Sequence, residues 1–216
     1  MTVRLIALTQ PVDPADAPDS QALLAYFARV SSAANQGKHD TGARLIRRLI
    51  KHAEWSPLEM VSLTLEIVTT RDIARQMLRH RSFAFQEFSQ RYSVVTSEPV
   101  LREARLQHPT DRQMSVETDD VDLRQEWSDV QAEVARHAET AYHWALGRGL
   151  AKEQARAVLP EGLTPSRLYM AGTLRSWFHY CELRRKPGTQ LEHREIAEAA
   201  WNLVVAHYPI LGEDGA

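Results

Sequence analysis

The chain has 216 residues, of which 44% are hydrophobic and 25% charged, and a formal net charge of −2. That length supports one substantial core and a single domain, and the near-neutral balance excludes a strongly basic polyanion binder. One cysteine excludes a disulfide framework within the chain and fits a reducing cytoplasm, while no stretch approaches the roughly 20 apolar residues of a membrane span.

Met1 to Thr9 is a short strand-like run without the length or processing site of a signal peptide. A turn-rich loop from Pro11 to Pro18 follows, and Ser20 is expected to cap a helix carrying Leu23, Leu24, Tyr26 and Phe27. Residues 42–53 repeat the helical pattern with Leu45, Ile46, Leu49 and Ile50. From Met60 to Thr70, apolar Val61, Leu63, Leu65 and Ile67 alternate with Ser62, Thr64 and Glu66, which predicts a half-buried strand. Arg71 to His80 reads as a helix with Ile73, Ala74, Met77 and Leu78 on one face, and Arg91 to Thr96 reads as a further strand. Residues 101–125 form a surface excursion, polar over 101–120 and carrying Pro109. Trp127, Val130, Val134, Ala138 and Ala141 mark a long amphipathic helix that ends near Gly147 and Gly149. Thr164 and Pro165 are expected to open a helix reaching Arg184, as N-cap and first residue. Met170, Leu174, Trp177 and Cys181 then form one stripe, and Leu168, Gly172, Arg175 and His179 a second. Two occupied faces predict a deep helix or one sandwiched between subunits. A last helix occupies about 190–207.

The segment Arg71–Arg91 holds Arg71, Arg75, Arg79, Arg81 and Arg91 against only Asp72 and Glu87. Like charges four apart on a helix cost roughly 0.2–0.5 kcal/mol per pair, which an anion between them offsets through bidentate Arg–phosphate bonds. Glu87, Ser89 and Arg91 lie two apart, so an extended backbone turns all three to one side. A nucleotide with a phosphate at one end suits this set. Three other readings stand beside it: arginines on a solvated face or in inter-subunit ion pairs, a nucleic-acid module stacking bases on Phe83, Phe85, Phe88 and Tyr92, and a structural helical oligomer. Ser89 has no activating base nearby and reads as a hydrogen-bonding group rather than a nucleophile. Cys181 sits on an apolar stripe and reads as core. His39, His52, His193 and His207 are scattered without metal-ligand spacing, so no metal is expected.

Arg79-His80-Arg81, seven residues and then Ser89, within RHRSFAFQEFSQRYS, resembles the signature of the flavin-dependent thymidylate synthases. Phe27–Ser31, Lys51–Glu59, Ala74–Gln76, Arg156–Pro160 and Thr173–Arg184 resemble further segments of that family in the same order. The resemblance implies a single α+β domain with a mixed or antiparallel sheet flanked by helices, assembled as a homotetramer with shared active sites. It also implies conversion of dUMP to dTMP, with methylene-tetrahydrofolate as carbon donor and NADPH-reduced FAD as hydride source. By motif match, Gln76, Met77, Leu78, Arg79, Glu87, Phe88, Ser89, Gln90, Arg91, Arg156 and Arg184 would hold dUMP. Ser56 of a neighbouring subunit, with Arg79, His80, Arg81, Glu87, Thr173, Leu174, Arg175 and His179, would hold FAD. Arg184 is the expected catalytic residue, favouring the uracil form ionised at N3. Glu54, Gln86, Thr173 and His179 depart from the family's commonest pattern, each keeping a polar group of different reach.

Overall fold

The computed structural model describes residues 1–213. The chain runs β1 (Thr2–Leu8), α1 (Ser20–Ala28), α2 (Gly42–Lys51), β2 (Ser62–Thr70), α3 (Arg71–Met77), β3 (Ala84–Glu87), β4 (Arg105–Gln107), β5 (Ser115–Glu117), α4 (Val121–Gly147), α5 (Lys152–Ala155), β6 (Pro165–Thr173), α6 (Leu174–Arg184) and α7 (Leu191–His207). Strands order as β1-β2-β6-β3, and every pairing is antiparallel. The α+β class therefore holds, and the sheet is antiparallel rather than mixed.

The alternation in β2 does what period two dictates. Leu63, Leu65 and Ile67 point into the core, while Thr64, Glu66 and Val68 stay half-exposed on the other face. Across all nine paired positions, β6 matches it with Leu168 and Met170 buried and Arg167 and Tyr169 turned out. Side chains from α1, α2, α6 and α7 close over the apolar face, where Leu24, Ile46, Leu174, Trp177, Ala197 and Val204 complete one core. Each fully buried aliphatic there contributes roughly 1.5–3 kcal/mol.

Several local expectations change. The helix expected from Pro165 to Arg184 is a strand through Thr173 and a helix only from Leu174. Spacing of four between Met170 and Leu174 imitated a helical stripe, yet Ser166, Leu168 and Met170 are buried at period two. Pairing with β2 on one side and β3 on the other outweighs the weak helix preference of the segment, and Pro165 is tolerated as the first residue of a strand. Thr164 is not an N-cap; Thr173 is, its side chain accepting from the Ser176 amide. The two-faced helix thus disappears, because Leu168 and Gly172 belong to a strand. The cap of α1 is Asp19, which accepts from Ala22, whereas Ser20 is the first helical residue and donates its hydroxyl to Thr9 O at 2.7 Å. Arg91 to Thr96 is turn and irregular chain, not strand. The 101–125 segment carries the separate β4–β5 ribbon and the first turn of α4. On α4 the side facing the protein is Gln131, Ala135, Tyr142 and Ala145, so Trp127, Val130 and Val134 remain exposed in the single chain. Among the described residues no helix is long and apolar enough to cross a membrane.

Gly172 is required by a close approach. A Cβ there would lie 2.4 Å from the Phe83 ring, which is itself wedged between Trp177 and Tyr180 at centroid distances of 4.8 and 5.8 Å. Phe83 follows the Arg79-His80-Arg81 stretch directly, so this contact pins the loop to α6. Gly172→Ala is expected to destabilise the fold by about 1–3 kcal/mol, read as a lower urea midpoint at unchanged slope; a midpoint equal to the parent's would show that Phe83 is free to move.

Candidate active site

Two strand-to-helix junctions build the site. At Thr70–Arg71 the chain leaves β2 for α3, and at Thr173–Leu174 it leaves β6 for α6. The seven-residue α3 stops at Met77 with Leu78 as its C-cap. The backbone then turns, with His80 N donating to Met77 O at 2.9 Å and Phe83 N to His80 O at 3.2 Å. Ser176 of α6 donates its hydroxyl to Ser82 O. This loop lays His80 edge-on against Tyr180, centroids 4.9 Å apart.

Arg184, in the last turn of α6, donates Nε–H to His80 Nε2 at 2.9 Å. An imidazole nitrogen that accepts must be unprotonated. Burial first, then the charges of Arg184 and Arg79, lower the His80 pKa from 6.5 to about 4, so the ring is neutral at physiological pH. Among the described residues no carboxylate lies within ion-pair distance of Arg79, Arg81, Arg156 or Arg184. Arg79 and Arg184 both act on His80, and their guanidinium groups lack a protein carboxylate to compensate them.

The rest of the arginine row is spoken for. Arg71 and Arg75 both reach Glu87 at 3.4 Å and Glu161 at 3.7 Å, within one chain. Ion pairing therefore explains these two, and the row does not extend to Arg79 because the helix has ended. Glu87 also accepts from Ser166 at 2.8 Å, which ties β3 to β6. Arg91 pairs with Glu153 and Arg175 with Glu59. Glu87, Ser89 and Arg91 do not share one extended face, since the strand stops at Glu87 and Arg91 lies in a turn. A cavity of about 360 Å³ nevertheless opens beside Glu87, Phe88 and Ser89, with Arg167 and Tyr169 on its wall. Gln90 is buried next to Ser89, and its Nε2 has no protein partner, a cost that a ligand or neighbouring subunit would relieve.

Other expected residues fall into place around α6. Thr173 and Leu174 begin it, Arg175 sits in its first turn, and the 3₁₀ turn Ser56–Glu59 packs against it through the Arg175–Glu59 pair. His179 meets Trp55 edge-on at 4.5 Å. Met77 is wholly buried and Leu78 partly so, leaving their backbone rather than their side chains for a ligand. No hydrogen bond or ion pair among the described residues joins Ser89, Gln90, Arg91 or Arg156 to His80 or Arg184. A second, larger cavity of about 660 Å³ lies between α4, the β4–β5 ribbon and the start of α7, with Asp72, Arg102, Gln190 and Glu192 on its wall. Cys181 is fully buried, and burial pushes its thiol up to about 12, so it is no thiolate at neutral pH.

Sequence reasoning passed over His193. It lies on the buried stripe of α7 with Ile196, Ala197, Ala200 and Val204, and a histidine on an apolar stripe needs a polar partner. It has two: Gln76 Oε1 at 3.3 Å and the Tyr180 hydroxyl at 3.0 Å.

The fold defined by these elements is that of pyrimidine nucleotide methylases. A UMP/dUMP methylase, PolB from Streptomyces cacaoi, crystallised with 5-Br dUMP, superposes with a TM-score of 0.83 at 26% identity, covering 97% of this chain and 92% of that one. The family model described as thymidylate synthase complementing protein matches residues 14–210. A flavin-dependent thymidylate synthase from Synechocystis is 46% identical over 97% of this chain and 96% of its own, and a probable one from Paramecium bursaria Chlorella virus 1 is 41% identical over 99% and 98%. The chain belongs to the flavin-dependent thymidylate synthase family.

His80 and His193 have native pKa values of about 4 and 3, below their ordinary 6.5. Between those limits the unfolded chain binds more protons, so their contribution is complete above pH 6.5 and is lost as pH falls toward 4. The urea midpoint is expected to drop between pH 7 and pH 5, above the main carboxylate range, and His80→Gln to flatten part of that drop. A parent midpoint constant over this window would contradict neutral histidines in the site.

Proposed function

We propose that this protein reductively methylates dUMP to dTMP, taking the carbon from methylene-tetrahydrofolate, as the family resemblance implies. The observation that carries this reading is the unpaired guanidinium of Arg184, held beside neutral His80 at the end of the family's signature loop. Dianionic nucleotide supplies the negative charge that Arg79, Arg81 and Arg184 lack from protein. Arg184 keeps four N–H donors beyond the one given to His80. Aimed at a pyrimidine, they stabilise the ring ionised at N3, an electrostatic role worth about 2.7–4 kcal/mol of barrier in comparable sites. Ser89, Gln90, Arg91 and Arg156, with the 360 Å³ cavity beside Ser89, serve nucleotide binding from a separate part of the chain surface.

The residues present suit a flavin dinucleotide. At the N-terminus of the eleven-residue α6 the amides of Leu174 and Ser176 go to Val61 O and Thr173 Oγ1. That leaves the Arg175 amide and the helix dipole for a pyrophosphate, with Arg79 and Arg81 as the flavin arginines the resemblance implies. His80, Thr173, Leu174, Arg175 and His179 lie on this helix and loop, with Trp55 against His179 as an aromatic ledge, and Ser56 would come from a neighbouring subunit. Glu87 and Arg175 are already engaged in protein ion pairs, which makes them supports of this surface first. A flavin held by these residues would, once reduced by NADPH, supply the hydride that completes the methyl group. Cys181 contributes nothing to ring attack, being a buried neutral thiol, and a reducing cytoplasm suits it.

Because no hydrogen bond or ion pair joins Ser89 or Arg156 to Arg184 among the described residues, the reading includes a homotetramer whose sites draw on several subunits. The exposed Trp127, Val130 and Val134 of α4 support it as an apolar face available for burial.

The test is dTMP formation by the flavin-loaded protein with each cosubstrate omitted in turn, and with UMP offered in place of dUMP. Activity with dUMP that requires folate, NADPH and flavin is expected, and Arg184→Ala is expected to keep bound flavin while losing about 10²–10³ in kcat. Parent-like turnover in Arg184→Ala would remove Arg184 from the chemistry, and methylation of UMP alone would move the substrate to the ribonucleotide.

A further inference from the structure

A chain of hydrogen bonds with one possible direction runs from Glu192 through Gln76 to Tyr180. Glu192 pairs with Arg102 at 3.2 Å, and its other oxygen meets Gln190 Nε2 at 2.8 Å. A carboxylate only accepts, so the Gln190 amide must present its nitrogen to Glu192 and its oxygen the other way. That oxygen accepts from Gln76 Nε2 at 2.7 Å. Gln76 Oε1 then faces His193 Nδ1 at 3.3 Å, which places the imidazole proton on Nδ1. His193 Nε2 is left to accept from the Tyr180 hydroxyl at 3.0 Å. Reversing any member would oppose two acceptors somewhere along the line. His193 is fully buried, and that burial, with the charge of Arg184 and then His80, lowers its pKa to about 3, so the ring carries a single proton.

The charge of Glu192 is therefore read out as a fixed amide at Gln76, two hydrogen bonds away, and as a tautomer of His193, three away. We propose that His193 is a positioning residue that holds the Gln76 amide so that it offers the nucleotide a donor, the second Nε2 hydrogen, and no acceptor. A donor facing the C4 edge matches O4 of uracil and opposes the exocyclic amine of cytosine, whereas O2 is common to both bases. The relay would thus set base preference without touching the base, and it rests on the assignment of Gln76 to the nucleotide made above. Gln190, Glu192 and His193 lie outside the family-like segments, while Tyr180 falls within Thr173–Arg184.

Calorimetric titration of the flavin-loaded protein with dUMP and with dCMP tests it, alongside KM and kcat for dUMP. His193→Phe fills the space and deletes the donor; it is expected to weaken dUMP binding and raise KM about tenfold, to narrow the dUMP/dCMP preference, and to leave kcat and flavin content near the parent's. His193→Asn, whose amide nitrogen can again donate to Gln76, should recover most of the loss, which a purely structural role would not produce. Glu192→Gln approaches from the other end without disturbing the core and should narrow the same preference even if His193→Phe fails to fold. Weak dUMP binding in Gln76→Ala beside an unaltered preference in both His193→Phe and Glu192→Gln would overturn this inference alone. Unaltered dUMP binding in Gln76→Ala would overturn the nucleotide assignment and the inference with it.

Discussion

The hydrogen bond from Arg184 Nε to His80 Nε2, 2.9 Å long, constrains everything around it. It exists only while the imidazole is neutral, and the imidazole stays neutral because two guanidinium groups and partial burial oppose a third charge. Hydrogen bonds to charged groups contribute about 1.5–3 kcal/mol, enough to fix one long side chain in one geometry. Arg184 is thereby oriented without a carboxylate that would neutralise it. A salt bridge would have held the arm equally well and cancelled the field. The site keeps positive potential by using a neutral acceptor as its anchor.

The fold serves that arrangement from two directions. Antiparallel pairing of β2 with β6 brings α3 and α6 off the same small sheet, and Trp177 Nε1 donating to Leu63 O at 3.2 Å locks α6 onto β2. Phe83 over Gly172 fastens the signature loop to the start of α6, and Ser176 fastens Ser82. Conversely, Glu87 absorbs Arg71 and Arg75, so the arginine excess of the segment is spent on structure at one end and left free at the other. Arg71 is enclosed and must be paired, and exposed Arg75 shares its two carboxylates, whereas Arg79 and Arg81 are exposed and make no ion pair among the described residues.

Much of this was legible in the residues, for stated reasons. β2 was readable because one face is buried and the other wet, which prints alternation into the sequence. The signature loop was readable because its chemistry demands particular side chains at particular spacing. The strand β6 was not, because it lies between two others and its apolar positions at 168, 170 and 174 straddle a strand-to-helix junction; two periods fused into one apparent stripe. The α4 stripe misled for the opposite reason, being apolar on a face that the described residues leave about half exposed. Within the site, the fate of each arginine could not be read locally, since Glu87, Glu153, Glu161 and Glu59 reach their partners across 12 to 116 residues. His193 left a signal, a polar residue on an apolar helical stripe, but its partners came from α3 and α6.

The most direct test of the account is nitrogen-15 NMR of the His80 ring in flavin-loaded protein, assigned by comparison with His80→Gln. A single neutral tautomer, with Nδ1 protonated and Nε2 bare, is expected throughout pH 6 to 8. A ring that gains its second proton near pH 6.5, as a solvent-exposed histidine does, would mean that Arg184 is not anchored there and that the charged site described here does not exist.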